Sequence, residues 1–345
     1  MTEEIRSNHN WNIIGHEAAV RQLQQALSRG QLAHAYLFSG PPHIGRRTLA
    51  VRFSQALCCQ APDDERPCGQ CPACRRISHG THPDFITISS PEGDTHGGNT
   101  RISIETIREI RTAITLRPLE APYRIVLLDG ADELSHDAAD ALLKTLEEPP
   151  SYAIFLLIVT SPEDLPETVR SRCQLIPLHP VPRMRVRAVL EAQGYPSSDA
   201  ALIAQLSQGR VGLALQLAED PAQLERYRTA GQIGLTMLTN RLNALLQARE
   251  LAERYRRGQR ETVTHQLSVL ITLWDDLLAL RAGLSERIAF VEFRETLDSL
   301  AQRWDIAAIA QGLAATCRAL ADLEANVQAR LALDTMVLAW PNPPA

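Results

Sequence analysis

"AYLFSG" (residues 35–40) runs directly into "PPHIGRRTLAVRFSQAL" (residues 41–57): a short apolar strand, a turn bounded by Gly40 and Gly45, then Leu49, Phe53 and Leu57 at helical spacing. Strand, glycine turn and helix in that order make a phosphate-binding loop. There, backbone N–H groups curl around phosphates, a Lys reaches the outer phosphates and a Ser/Thr hydroxyl holds Mg²⁺. Gly40 and Gly45 keep the frame of G-x-x-x-x-G-K-[ST], but Arg46 stands at the Lys position and Arg47 at the hydroxyl position. Arg46 retains the charge as a larger planar fork. Arg47 is a cation without an acceptor atom where a metal ligand belongs, and Thr48 comes one residue late, on a different helical face.

Working outward, "RIVLLDGADEL" (residues 124–134) reads as a continuous buried strand ending in acids. Asp129 is the type of carboxylate that supports Mg²⁺ at such a strand end. The next position, where an ATPase carries a glutamate that prepares the attacking water, is Gly130; Glu133, three residues on, is expected to point elsewhere. Lys144 is the only lysine in the chain, so Arg46 alone is weak evidence of a lost site. The loop and the strand fail together, and we expect a site that neither hydrolyses nor holds ATP.

The surrounding pattern sets the fold. "DFITISS" (84–90) alternates as a strand, and Ile104, Ile107, Ile110 and Ile114 share a helical face. "DAADALLKTLEEPP" (137–150) is a helix stopped by prolines, and "AIFLLIVTS" (153–161) is another buried strand. Such strands separated by helices predict a parallel sheet covered on both faces. After "PLHPVPR" (177–183) strands disappear. Two short amphipathic helices separated by "GYPSSD" (194–199) end near "QGRVG" (208–212), and the pattern is helical from there to about Ala339. The charged "ARELAERYRRGQRE" (248–261) is expected to present a solvated face.

The 345 residues suggest two or three domains. A net charge of -5 argues against a protein that coats nucleic acid by itself. The polar, acid-led "MTEEIRSNHNW" is not a signal peptide, and no apolar run approaches the ~20 residues that span a bilayer. A cytoplasmic protein is expected, and there the five cysteines between Cys58 and Cys74 point to metal before disulfide. Cys68, Cys71 and Cys74 with either Cys58 or Cys59 supply four thiolates, enough to close a structural zinc tetrahedron. An iron–sulfur run would want a further Cys and a Pro after Cys74, and "CRRISHG" has neither. His82 in "THPDF" is expected to close a turn, and Cys317 to be a buried apolar residue.

"WNIIGHEAAVRQLQQAL", "LAHAYLFSGPPHIGRRTLA", the cysteine cluster, "THPDF", "DAADALLKTLEEPP" and "LPETVRSRC" resemble, in order and spacing, bacterial clamp-loader subunits of DNA polymerase III, which are AAA+ proteins. The resemblance implies an α/β AAA+ module over residues 1–180 with a zinc insertion at 59–74, a helical lid at 181–221 and an all-α oligomerisation collar at 222–345. It assigns the zinc to Cys59, Cys68, Cys71 and Cys74, choosing Cys59 over Cys58. The family's motors have a GKT loop, an Asp-Glu pair and a sensor arginine where this chain has Arg46-Arg47, Asp129-Gly130 and Gly212. These departures match its non-hydrolysing branch. In the family, the motif found here as Ser171, Arg172 and Cys173 passes an arginine across a subunit boundary to a neighbour's ATP; Arg170 is the lesser candidate. A local pairing of Arg172, with Glu167 for instance, is the structural alternative. Lys144 falls on a family lysine that contacts DNA or a partner helix, or is simply solvated. The implied partners are gamma/tau motor subunits and a delta subunit in a hetero-oligomer, with the sliding clamp and primed DNA reached through the assembly. The alternatives are an ATP-using motor with an atypical loop, and a zinc-dependent DNA-binding module.

Overall fold

The computed structural model describes residues 11–89 and 102–341. The N-terminal stretch through Asn10 and the Ser90 that ends the second expected strand lie outside the described residues. Five strands form one sheet: β1 (Ala35–Ser39), β2 (Phe85–Ser89), β3 (Arg124–Asp129), β4 (Ala153–Val159) and β5 (Gln174–Pro177). Their order is β2-β3-β4-β1-β5, and all pairings are parallel.

Period-two alternation explains why the central strands are apolar throughout. Tyr36, Phe38, Ile125, Leu127, Leu156 and Ile158 enter one core with Leu49 and Phe53. Leu37, Val126, Leu128, Phe155, Leu157 and Val159 enter the other with Ile107, Ile110 and Leu142. The first core is covered by α1 (Glu17–Ser28), α2 (Arg46–Cys58) and α3 (Pro72–Ser78). The second is covered by α4 (Ile104–Thr115), α5 (His136–Glu147) and α6 (Glu167–Arg170). Ser103 and Ser135 cap α4 and α5 by accepting the Thr106 and Ala138 N–H groups.

Two strand expectations need correction. The "RIVLLDGADEL" strand stops at Asp129, because Gly130 turns the chain and Ala131–Glu133 forms a single 3₁₀ turn. β5 was not anticipated: it has four residues including Pro177, and only Ile176 is buried. An edge strand needs neither a long apolar run nor a full set of donors.

The described residues fall into two compact units, one reaching to Val181 with Arg210–Leu213, the other comprising Pro182–Gly209 and the chain from Ala214. Beyond β5 lie α7 (Arg183–Ala192), α8 (Ser197–Leu206), α9 (Val211–Glu219), α10 (Pro221–Thr239), α11 (Arg241–Arg256), α12 (Arg260–Arg281), α13 (Arg294–Arg303), α14 (Ile306–Glu324) and α15 (Ala329–Ala339). The sequence pattern predicts two short helices from Met184, ended near "QGRVG"; α9 is a third, begun immediately after "QGR". In the second unit α12 packs on α10, α13 and α14, and α15 closes on α11 and α14. Trp274 sits among them with Trp304 and Trp340, ring centroids 5.5 and 5.6 Å away. The charged helix is solvated as expected, carrying Glu250–Arg254 and Glu253–Arg256 pairs. The residues 306–323 of α14 are long and apolar enough to cross a bilayer by length and composition. They include Arg318 and Asp322, and α14 packs on α12 and α15. Cys317 is exposed, contrary to expectation; its neighbour Thr316 takes the inward position on the same helix.

Two buried aspartates have opposite pH behaviour. Asp84 accepts N–H bonds from Leu119, Glu120 and Ala121 at 2.8, 2.8 and 3.0 Å and pairs with Arg124 at 3.1 Å. Burial pushes its carboxyl upward, but these donors outweigh burial and hold it below the usual range. Asp276 in α12 accepts the Ala289 and Phe290 N–H groups, but burial dominates, pushing it up to about 7. Because the folded pKa of Asp84 is depressed, its stabilisation is present above about pH 4 and is lost on acidification. For Asp276 the folded pKa is raised, so the second unit loses stability as pH climbs from about 4 towards 7. Asp84→Ala is expected to destabilise the first unit by about 3–5 kcal/mol, leaving the Arg124 charge buried without its partner, as read by urea unfolding at pH 7. Asp276→Asn is expected to flatten the fall in stability of the second unit between pH 4 and pH 7.

Candidate functional site

β1 delivers the chain to Gly40, whose φ of 148° and position leave no room for a side chain: a β-carbon there would lie 2.5 Å from the Leu178 carbonyl oxygen. The loop then curls through His43 and the buried Ile44 to Gly45, which caps α2. The Nε2 atom of His16 lies 3.0 Å from the Ile44 carbonyl. Gly212 donates its N–H to the His43 carbonyl at 2.8 Å, and a β-carbon on it would sit 2.7 Å from that same oxygen. This backbone therefore lies directly against the loop.

The loop opens on a cavity of about 490 Å³ lined by Arg46, Arg47, Asp129, Asp132, Glu133 and Thr160, among others. Arg47 Nε lies 3.1 Å from Asp129 Oδ2. The residue at the hydroxyl position of the motif therefore delivers a positive charge to the carboxylate that would support a metal. Arg46 donates to Thr160 Oγ1 at 3.4 Å, and Asp132 accepts the Thr160 N–H at 3.1 Å. Burial holds the Arg46 pKa below its ordinary value, only partly offset by the nearby charges of Asp132 and Asp129. Thr48 is exposed and lines a separate surface hollow with Arg52 and Ser78.

Glu133 corrects the sequence reading, for it lines the same cavity as Asp129. A 3₁₀ turn repeats every three residues, so the turn Ala131–Glu133 brings Glu133 over Gly130, which lines the same cavity. Asp132, which no sequence motif marks, joins it. The "ADE" triplet after a glycine is the signal that could have found both.

At the other end of α2 the Sγ atoms of Cys59, Cys68, Cys71 and Cys74 all lie within 4.8 Å of one another. The Cys59–Cys71 separation is 4.0 Å. Four sulfurs about 2.3 Å from one ion are spaced by roughly 3.8 Å, whereas a disulfide needs about 2 Å. The set therefore fits a four-thiolate metal and not a bridge. Backbone N–H groups already point at the sulfurs: Ala61 and Cys68 at Cys59, Cys71 at Cys68, and Cys74 at Cys71. Burial raises the Cys71 thiol, but the Gln60 and Cys74 N–H groups and the adjacent thiols outweigh it and bring it down to about 6. Cys59 and Cys74 are pushed up, chiefly by burial. Cys58 faces the core beneath the sheet, where burial lifts its thiol to about 12. His82 is buried, takes the Asp84 N–H on Nδ1 at 3.1 Å, and stands apart from the cluster.

The segment between α6 and β5 carries Ser171, Arg172 and Cys173. Arg172 is partly exposed; it pairs with Glu147 at 2.9 Å and donates to the Thr168 carbonyl at 2.8 Å. Its carboxylate partner is thus Glu147 of "LEEPP", not Glu167. Arg170 lies 4.0 Å from Glu163. Cys173 is packed inward, burial pushing its thiol up to about 12. Lys144 is exposed on α5.

Residues 15–182 match the family model described as "DNA polymerase III, delta subunit". The delta' subunit of Escherichia coli DNA polymerase III is 36% identical over 197 residues, 57% of this chain and 58% of that one. The tau subunit of Bacillus subtilis is 39% identical over 164 residues, 47% of this chain and 28% of that one. The chain belongs to the clamp-loader family of DNA polymerase III. It spans between about a quarter and two thirds of the length of the curated relatives it matches. A Thermotoga maritima protein related to the DNA polymerase III gamma subunit aligns over 93% of this chain and 97% of its own, at 18% identity and a TM-score of 0.43. As a family member the chain has an AAA+ fold, with the cysteine cluster set between β1 and β2.

The cluster predicts a metal stoichiometry. Titration with Co²⁺ is expected to give one equivalent with thiolate charge-transfer absorption, abolished by Cys59→Ala and retained by Cys58→Ala.

Proposed function

We propose that this chain is a delta-prime-like stator of the DNA polymerase III clamp loader, a subunit that does not hydrolyse ATP and helps place the sliding clamp on primed DNA. The observation that carries this reading is the Arg47–Asp129 ion pair at 3.1 Å. Phosphoryl transfer in a P-loop protein needs a metal held between a loop hydroxyl and a strand-end carboxylate. Here the loop residue is itself a cation and is joined to that carboxylate. The absence of a carboxylate at Gly130 and the close seat of Gly212 on the loop support the same conclusion.

A fold without a fuel site serves its neighbours. Arg172 is the residue offered to the ATP of an adjacent gamma/tau motor. Its present partner Glu147 is half-exposed, and exposed pairs hold by only about 0–1 kcal/mol, so the guanidinium leaves cheaply for a triphosphate. Lid residues 181–221 and collar residues 222–345 would hold the chain in the hetero-oligomer beside motor and delta subunits. Zinc in the four-cysteine site would be structural, since four protein thiolates leave no open position.

A second reading, a gamma/tau-like motor with an atypical loop, draws support from Glu133 lining the cavity. One measurement separates them. A labelled non-hydrolysable ATP analogue with Mg²⁺ is expected to show no saturable binding to the isolated chain, whereas saturable binding of the analogue, with hydrolysis of ATP itself at motor rates, would establish the second reading instead. Arg172→Ala in the assembled complex is expected to cut hydrolysis at the served site by roughly 10³-fold or more. Arg170→Ala should leave that hydrolysis close to wild type.

A further inference from the structure

Gln55 is a long polar side chain only 2% exposed, on the helix that joins the glycine loop to the cysteine cluster. Burying an amide costs free energy unless its polar atoms are met, and here the knuckle takes the donor while Arg52 of the same helix supplies the acceptor's partner. Its Nε2 donates to the Cys74 carbonyl at 2.8 Å, and its own backbone carbonyl lies 3.8 Å from Cys74 Sγ. Its Oε1 accepts Arg52 Nη1 at 3.0 Å. The same Nη1 lies 4.0 Å from where a β-carbon of Gly69 would stand, in the loop between Cys68 and Cys71. Arg52 therefore brings its charge against the ligand loop, oriented by a buried amide that also grips a ligand residue.

Electrostatics supplies the reason for such an arrangement. Four thiolates around Zn²⁺ leave a net charge of −2, and the ion's own charge has to be counted with the groups around it. The N–H donors from Ala61, Cys68, Cys71 and Cys74 offset part of that excess. We propose that Gln55 and Arg52 are the outer sphere of this metal site: Gln55 positions the Cys74 ligand, and Arg52 supplies the positive charge that the thiolate cluster requires. The assignment rests on the zinc reading of the cluster. It also ties the metal to α2, so that the helix carrying Arg47 at one end is held by the knuckle at the other.

The test uses the full chain, with Zn²⁺ affinity measured by competition against a chromophoric chelator and with Co²⁺ spectra recorded in parallel. Arg52→Gln and Gln55→Met are each expected to weaken Zn²⁺ binding by about 10–100-fold. Arg29→Gln, an exposed change just past the end of α1, should have no effect. Arg52→Lys keeps the charge and is expected to recover most of the lost affinity, which a purely packing role for Arg52 would not produce. Gln55→Glu keeps the volume and the acceptor for Arg52 but lacks the donor to Cys74, so it serves if Gln55→Met fails to fold. It should weaken binding and shift the Co²⁺ charge-transfer band. Wild-type affinity in Arg52→Gln, or in whichever Gln55 variant folds, overturns the outer-sphere assignment while leaving the zinc reading intact. A wild-type chain that takes up no Zn²⁺ overturns both.

Discussion

A guanidinium on the first turn of α2 meets the carboxylate at the end of β3 across 3.1 Å, and the reading of the cavity turns on that contact. As a stabilising interaction it is minor, since Arg47 is more than half exposed and such pairs contribute about 0–1 kcal/mol. Its weight is electrical. The two groups can meet only because the Gly40 and Gly45 backbone starts α2 at the mouth of the sheet, and because the parallel register ends β3 beside it. A site laid out for a divalent cation thus has a cation built into the polypeptide. The remaining acids, Asp132 and Glu133, then line a cavity whose charges are partly balanced from within.

The same molecule uses ion pairs in two ways that burial distinguishes. Asp84 and Arg124 are almost wholly buried, and Asp84 collects three backbone donors as well. That arrangement pins the 119–121 turn, and its loss is costly because charge would be stranded. Arg172 and Glu147 are exposed, so their separation costs little. Weak pairing suits a residue that is to change partners, whereas strong pairing suits one that holds a turn. Helix α2 lies between these extremes: an exposed pair ties its beginning, and buried polar contacts with the cysteine knuckle tie its end.

The alternation of apolar and polar residues, the glycine loop and the cysteine spacing are local signals, and they were legible. They placed β1, β2 and β4 to within a residue or two, the start of β3, the parallel sheet, the helical second half and three of the clustered thiols, Cys68, Cys71 and Cys74; the fourth, Cys59 over Cys58, came from the family resemblance. Signals failed where a local pattern was short or where geometry depended on partners. β5 is four residues with a proline and one buried side chain. Cys317 looks apolar in a list of residues, but its helix buries Thr316 instead. Asp84 and Asp276 look like any loop or helix acid until their donors are seen.

What the chain determined by itself is which chemistry is present and which is missing: Arg46 and Arg47 in place of Lys and a hydroxyl, Gly130 in place of an acid, and four thiols at knuckle spacing. Those follow from residue identity and separation along the chain. Only the tertiary structure decided which charges meet, because Arg47 and Asp129, Arg172 and Glu147, or Gln55 and Cys74 lie 82, 25 and 19 residues apart. Coulomb and hydrogen-bond energies depend on distance in space, and no periodicity in the sequence encodes that distance. The placing of Glu133 is the smallest instance: the 3₁₀ turn that ends β3 brings to the cavity a carboxylate expected to point elsewhere.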